Sequence, residues 1–165
     1  IHGQKPDLVV VDYADLLKDV GGRGREMRHI LGNIYEDLRG LAGEQEVPIW
    51  TASQANRSAL EDDVIGAEKI AESYTKIMTA DFVVSLSRKI EDKLAGTGRW
   101  HVIKNRFGPD GITFPSKINA SNGKIEIFEQ ASIGGQKTQN EMNNSNEYVR
   151  KALKQKFDEL NQKKA

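Results

Sequence analysis

Four consecutive apolar residues near the start of the chain, Leu8 to Val11, end at an acidic residue, Asp12. β-Branched side chains favour extended backbone, and a strand that is apolar at every residue has no face suited to water. Such runs are typical of strands buried on both faces of a parallel sheet, in which helices connect the strands. The run therefore predicts a parallel α/β sheet.

The next segments continue this alternation of strands and helices. Apolar residues recur at helical spacing between Met27 and Leu41, which predicts an amphipathic helix of about five turns. Residues 47–53 and 81–86 are two further predicted strands. The apolar stripe over residues 67–78 predicts a helix between them.

The pattern changes after residue 99. Three short strands are predicted at residues 100–104, 112–115 and 124–128, with turn signals at residues 108–111 and 121–123. The predicted fold class is therefore α/β, a parallel sheet with an antiparallel C-terminal extension. Residues 1–130 would form one domain. Residues 131–146 are rich in Gly, Gln, Asn and Ser and predict a flexible linker, and residues 147–165 an amphipathic helix.

Composition excludes several classes of protein. The 165 residues carry 24 Lys and Arg against 24 Asp and Glu, which argues against a dedicated polybasic nucleic-acid binder but leaves a local basic patch open. With no cysteine, the chain has no disulfide framework, zinc ribbon or cysteine nucleophile. Its three histidines are scattered, and no apolar run is long enough for a membrane span. We therefore expect a cytoplasmic protein that does not enter a membrane.

Polar residues follow the predicted strands, where ligands gather in open α/β sheets. Asp12 ends the first strand, and four apolar residues followed by Asp is the Walker B pattern, whose carboxylate holds Mg²⁺. Gln54 ends the second strand, where an amide can sense a phosphate by hydrogen bonding. Lys104 and Arg106 are separated by one residue, so on a strand their side chains point to the same face. Two cations on one face suit a polyanionic ligand. The alternative for each is an ordinary cap, turn or solvated edge residue.

Several cations surround a glycine-rich segment after the first strand. Flexible backbone with basic side chains suits contacts to nucleic-acid phosphates, and a charged surface loop is the alternative. The residues are Lys18, Arg23, Arg25 and Arg28.

The combination of these motifs is more specific than any one of them. Asp12-Tyr13, residues 52–57 (ASQANR), residues 80–88 (ADFVVSLSR) and residues 104–111 (KNRFGPDG) occur in one order. Over about residues 5–130 the chain resembles the RecA-like ATPase domain of DnaB-family replicative helicases, especially those of tailed phages. The resemblance implies a hexameric ring that binds ATP between subunits and uses its hydrolysis to move along single-stranded DNA.

The resemblance also implies a role for each matching residue. Asp12 would position Mg²⁺, Gln54 would sense the γ-phosphate of ATP, and Lys104 and Arg106 would reach the neighbouring subunit's γ-phosphate. The cations of the DNA channel would be Lys18, Arg23, Arg25, Arg28 and Arg57. The C-terminal helix would suit docking to a helicase loader or primase.

One departure from the family pattern limits these roles. The chain has no Gly-x-x-x-x-Gly-Lys-[Ser/Thr] phosphate-binding loop (Walker A), and residues 134–138 (GGQKT) match it only in part. We therefore expect the C-terminal part of an ATPase domain, inactive by itself, an expectation in line with a first residue that is not methionine. Two alternatives stay open: a RecA/KaiC-type ATPase, and a non-catalytic split-gene remnant that binds DNA or a helicase ring.

Overall fold

The computed structural model describes residues 5–20, 26–59, 62–70, 74–130 and 133–162. Its strands and helices, in chain order, are β1 (Val9–Val11), α1 (Met27–Gln45), β2 (Ile49–Thr51), α2 (Thr75–Thr79), β3 (Phe82–Ser87), α3 (Ile90–Ala95), β4 (Thr97–Asn105), β5 (Thr113–Asn119), β6 (Lys124–Ile127) and α4 (Ile133–Gln162). The chain divides into two compact units. The first unit comprises residues 1–59, 66–83 and 103–110, and the second comprises residues 60–65, 84–102 and 111–165.

The first unit contains the parallel pair that the apolar run predicts. Strands β1 and β2 are parallel, and Val11 pairs with Thr51 at their carboxyl ends. Helix α1 supplies most of the adjoining core through residues spaced three or four apart, as in an amphipathic helix. The buried members of this core are Ala14, Leu31, Ile34 and Tyr35.

One face of the parallel pair differs from the sequence expectation. Val10 is 69% exposed and its partner in the pair, Trp50, is 54% exposed. The ring of Phe82 lies 6.1 Å from that of Trp50, and Phe82 is exposed as well. Burial on both faces is therefore wrong for the described residues, because only one face of the pair has a helix packed beside it.

The predicted antiparallel meander is confirmed. The four-stranded sheet has the order β3-β4-β5-β6, and the pairings of β4 with β5 and of β5 with β6 are antiparallel. Gly111 and Gly123 have φ values of 74° and 71°, which glycine adopts without steric cost in the turns before β5 and β6. Strand β3 lies beside β4 instead of joining β1 and β2. The sequence did not indicate α3.

The predicted helix over residues 67–78 is wrong in extent. A 3₁₀ turn covers Ala67–Lys69, Ile70 forms a β-bridge with Ala55, and α2 begins only at Thr75. Residues 71–73 lie outside the described residues. The bridge places residue 70 in extended backbone, which interrupts any continuous helix.

The predicted linker over residues 131–146 is helical from residue 133 onward. Helix α4 is continuous from Ile133 to Gln162, and Thr138 and Met142 are completely buried on it. Helix α4 packs against α3 and β5, and Lys117 of β5 forms an ion pair of 3.1 Å with Glu141. Tertiary packing therefore outweighs the low helix propensity of the Gly- and Asn-rich sequence. Of the helices the structure describes, none has the length and apolar character that crossing a bilayer requires.

Candidate functional site

The parallel register brings the ends of β1 and β2 to the same edge of the first unit. The hydroxyl of Thr51 donates to the carbonyl oxygen of Val11 at 2.9 Å and accepts from the backbone N–H of Ala14 at 2.8 Å. Gln54 donates from Nε2 to the hydroxyl oxygen of Tyr13 at 2.8 Å. Gln54 is thus tied to the residue that follows Asp12.

The carboxylate of Asp12 is exposed at this edge. Within the described part of the chain it forms no hydrogen bond or ion pair, and no group of three or more His, Asp or Glu side chains is placed to hold a metal. Mg²⁺ at phosphate-transfer sites commonly takes one or two carboxylates and completes its shell with waters and substrate phosphates. A single free carboxylate at a strand end fits that kind of metal binding.

A buried ion pair lies beside the same edge. Lys76 on α2 is 3% exposed, and its Nζ lies 2.9 Å from Oδ2 of Asp15 and 3.0 Å from Oγ of Ser53. Ser53 also donates to Oδ2 of Asp15 at 3.1 Å. Because Ser53 directly precedes Gln54, this network fixes the backbone from which Gln54 extends.

Tyr35 of α1 completes the network. Its hydroxyl donates to Oδ1 of Asp15 at 2.9 Å and to the carbonyl oxygen of Ala52 at 3.3 Å, and the ammonium of Lys76 lies 5.5 Å from its ring centroid. Burial, followed by the negative charge of Asp15, raises the pKa of the Tyr35 hydroxyl well above its usual value. Tyr35 therefore stays protonated and remains a hydrogen-bond donor at neutral pH.

The sequence motifs did not indicate Lys76, Asp15 or Tyr35 as parts of the site. Lys76 lies in an apolar stretch between Tyr74 and Ile77, and that placement is the one signal that could have suggested a buried charge. Asp15 and Tyr35 are separated from Lys76 by long stretches of chain. Their meeting depends on tertiary packing, which a single sequence does not reveal.

Lys104 and Arg106 both contact the segment that ends α2 and leads into β3, as their shared direction predicts. Lys104 donates from Nζ to the carbonyl oxygens of Ile77 and Met78, at 3.0 and 2.9 Å. Arg106 forms an ion pair of 2.7 Å with Asp81. Within the described residues, neither cation bonds to Asp12 or Gln54, so the structure forms two separate groups from the four predicted site residues.

Asp81 is shared between two arginines. Arg39 of α1 contacts the same Oδ1 at 3.0 Å and also donates to the carbonyl oxygen of Thr79. Arg106 is the more exposed of the two, with 55% of its side chain accessible against 44% for Arg39. Asp81 therefore keeps a cationic partner if Arg106 moves away.

Most of the predicted DNA-binding residues lie beyond what the structure describes. Arg23 and Arg25 lie outside the described residues, as do the side chains of Arg28 and Arg57. Lys18 is described and exposed. It lines a shallow groove of about 290 Å³ together with Asp15, Leu17, Asp19, Met27, Ile30 and Leu31.

Comparison with known proteins shows which proteins this chain is similar to. No protein-family model matches the chain. A DnaB-like replicative helicase of Enterobacteria phage T4 is 30% identical over 131 residues, which cover 77% of this chain and 28% of that protein. The chain therefore spans a little over a quarter of the length of this relative.

Solved structures show the same fold. The ATPase domain of G40P superposes with a TM-score of 0.65 at 23% identity, covering 74% of this chain and 44% of that chain. A DnaB-like replicative helicase, solved in a study of its interactions with primase, gives 0.64 at 23% identity and covers 74% of this chain and 31% of its own. These likenesses establish a RecA-like α/β fold. The resemblance to DnaB-family replicative helicases that the sequence motifs indicate is therefore confirmed by the similarity to the phage T4 protein.

Proposed function

We propose that residues 5–130 form part of the ATPase domain of a hexameric replicative helicase, which couples ATP hydrolysis to translocation on single-stranded DNA and duplex unwinding. The observation that carries this proposal is the edge where β1 and β2 end. Asp12 is exposed there, and Gln54 is bonded to the adjoining Tyr13 at 2.8 Å. A carboxylate that can hold Mg²⁺ and a neutral amide that can hydrogen-bond a phosphate, both at one strand edge, suit a metal–triphosphate complex.

Asp12 is the residue that would hold Mg²⁺ at this edge. A metal held there would supply positive charge against the negative charge that develops during phosphoryl transfer. Gln54 would hydrogen-bond the γ-phosphate without adding charge. Its present partner is the hydroxyl of Tyr13, which it can exchange for a phosphate oxygen. The strand end then responds to the presence of the γ-phosphate.

Lys104 and Arg106 would act on the neighbouring subunit's nucleotide. Cations at a transferring phosphoryl group stabilise its transition-state charge and can contribute about 10³–10⁵ to turnover. The shared position of Asp81 supports this role for Arg106. When Arg106 leaves Asp81 for a phosphate, Arg39 still neutralises the carboxylate at 3.0 Å.

The phosphate-binding loop must come from sequence outside this chain. Residues 134–138 lie within α4, where the side-chain hydroxyl of Thr138 donates to the carbonyl oxygen of Gly134 at 2.8 Å. The segment lacks the first glycine of the Gly-x-x-x-x-Gly-Lys-[Ser/Thr] pattern, so it does not supply a phosphate-binding loop. We therefore expect no ATP hydrolysis by this chain alone. A polypeptide that carries this chain together with a phosphate-binding loop is called the complete ATPase.

Two further partners belong to the proposal. Single-stranded DNA would contact Lys18, Arg23, Arg25, Arg28 and Arg57 in a salt-dependent manner. Helix α4 would dock a helicase loader or primase, because Tyr148 and Leu153 on it are large apolar residues that are mostly exposed.

The test replaces Arg106 in the complete ATPase. Arg106→Ala should abolish DNA-stimulated ATP hydrolysis and leave nucleotide binding nearly unchanged, because the cation acts on a neighbour's phosphate. The matched control is Arg150→Ala, an exposed arginine on α4. Mixed rings of Arg106→Ala subunits and subunits lacking the phosphate-loop lysine should regain part of the turnover. Without that recovery, action in trans is refuted.

A second candidate function is favoured by the missing Walker A motif. The chain would then be a non-catalytic protein that binds DNA or joins a helicase ring. In that case Asp12→Ala and Arg106→Ala would leave the ATP turnover of the assembled ring unchanged. A fall in turnover for either variant excludes this second function.

A further inference from the structure

Helix α2 has polar contacts on two sides that no sequence motif accounts for. On one side, Lys76 reaches Asp15 and Ser53 beside the ends of β1 and β2. On the other, the carbonyl oxygens of the next two residues, Ile77 and Met78, accept from Lys104. One short helix thus connects the strand end that carries Gln54 with a cation proposed to act in trans.

The burial of Lys76 indicates that its position matters. A lysine can pair with an acid at the surface at little cost, whereas withdrawing its ammonium from water is costly unless several partners compensate. Lys76 is 3% exposed and has Asp15 at 2.9 Å, Ser53 at 3.0 Å and the ring of Tyr35 at 5.5 Å from Nζ. With these partners, α2 is fixed relative to the end of β2.

The contacts of Lys104 depend on α2 in turn. The last carbonyl groups of a helix have no partner within the helix, and they carry its negative dipole end. The ammonium of Lys104 satisfies two of these groups, at 3.0 and 2.9 Å. A displacement of α2 would therefore move or release the head of Lys104.

We propose that Lys76 is a positioning residue that couples the Gln54 strand end to Lys104 through α2. The inference rests on the proposed function for the roles of Gln54 and Lys104. Gln54 would contact the γ-phosphate bound by its own subunit, and Lys104 that of the neighbouring subunit. A mechanical link between them within one chain passes the nucleotide state of one site in the ring to the next site.

The first test uses the chain as it stands and does not depend on ATP hydrolysis. Amine acylation followed by mass spectrometry measures the reactivity of each lysine. In Lys76→Met, the acylation rate of Lys104 should rise several-fold because α2 no longer holds its ammonium against two carbonyl groups. Lys76→Arg, which keeps the charge, should leave the Lys104 rate low.

The matched control for this test is Arg99→Met. Arg99 forms a second buried ion pair, with Asp92 in the second unit, so its loss destabilises the chain without touching α2. The Lys104 rate should stay at the wild-type value in this variant. An unchanged Lys104 rate in folded Lys76→Met overturns the inference. If Lys76→Met does not fold, Ser53→Ala removes one partner of Lys76 without burying an unpaired charge. A raised Lys104 acylation rate in Ser53→Ala then supports the inference, and an unchanged rate overturns it.

The second test uses mixed rings of the complete ATPase. Lys76→Met subunits keep their own phosphate loop, and partners lacking the phosphate-loop lysine supply an intact Lys104. Recovery of turnover shows that Lys76 acts through the cation donated to a neighbour. If Arg106→Ala recovers in such rings and Lys76→Met does not, the coupling through α2 is refuted and the proposed function stands. If neither recovers, the proposed action in trans has failed.

Discussion

Two buried ion pairs among the described residues have similar chemistry and different surroundings. In the second unit, Arg99 lies 2.6 Å from Asp92, and the two residues are seven positions apart in sequence. In the first unit, Lys76 lies 2.9 Å from Asp15, and 61 positions separate them. One pair closes a local segment of α3 and β4, and the other joins distant segments at an edge where polar groups remain exposed.

The difference shows how one kind of contact serves two purposes. Asp92 is completely buried, accepts from the backbone N–H of Lys89 at 3.0 Å and lies within 3.3 Å of the Thr97 hydroxyl. Every direction around its carboxylate is occupied, which suits a group that maintains structure. Asp15 is 16% exposed, and it accepts a hydrogen bond from Ser53, the residue directly before Gln54. A network that positions residues for ligand binding must lie near the surface, where the ligand can reach the residues it supports.

The largest effect in this comparison should come from Asp92→Ala. The variant leaves the buried Arg99 with only the exposed Asp63, 3.7 Å away, as a counter-ion, and it removes the acceptor for the first turn of α3. We therefore expect a loss of about 3–5 kcal/mol in the free energy of unfolding. Urea denaturation of the chain measures this loss. Glu91→Ala, the adjacent acid of the same helix turn, is the control and should change stability by less than about 1 kcal/mol. A similar small value for Asp92→Ala would contradict the structural role of the pair.

A smaller effect is expected at the hydroxyl of Tyr35 in the first unit. Tyr35→Phe removes a donor to Asp15 and to the Ala52 carbonyl and should cost about 1–2 kcal/mol. Because the pKa of Tyr35 is raised in the folded state by burial and by Asp15, its contribution is complete below the ordinary value of 10.0 and is lost as pH rises above it. Unfolding in urea at a series of alkaline pH values measures this loss, alongside absorbance titration of the tyrosines.

The variant itself provides the comparison at alkaline pH. Tyr35→Phe should show a weaker decline in stability above pH 10 than the wild-type chain, since the phenylalanine cannot ionise in the unfolded state. Any decline in stability common to both proteins belongs to other groups. If the two curves run parallel from neutral to alkaline pH, Tyr35 does not have the environment that the structure gives it.

Local patterning was sufficient for the elements that depend on neighbouring residues. The β-branched run before Asp12, the helical spacing of apolar residues in α1 and the glycine turns of the meander each reflect preferences within a few residues. The same patterning placed Asp12 and Gln54 at one edge, because parallel strands end together. These are short-range properties, and their outcomes followed from the sequence.

Contacts between residues far apart in sequence determine the features that the residue patterns did not indicate. Helix α4 starts in a Gly- and Asn-rich segment because Thr138 and Met142 are buried against other elements. The network of Lys76, Asp15 and Tyr35 brings together segments far apart in sequence, and neither its existence nor its burial has a local signature. Residue patterns thus indicated the residues that we propose bind ATP. The structure adds the contacts that hold two of them, Gln54 and Lys104, in position.

The smallest effect should come from the exposed ion pair of the second unit, between Lys89 and Asp63 at 2.9 Å. The hydrogen bond from Lys89 lowers the pKa of the Asp63 carboxyl below its ordinary value of 3.8, with further help from the positive charges of Lys89 and Arg99. A lowered pKa means that the pair's stabilisation is present above pH 3.8 and is lost as pH falls through the lowered value. Since the Asp63 side chain is 65% exposed, we expect Lys89→Met to cost less than about 1 kcal/mol at neutral pH. NMR titration of the carboxyl should show its pKa rising toward 3.8 in Lys89→Met and staying low in Lys93→Met, an exposed lysine of α3. A pKa of Asp63 that Lys89→Met leaves unchanged would contradict the assignment to Lys89 and would attribute the shift to the charges of Arg99 and Arg150.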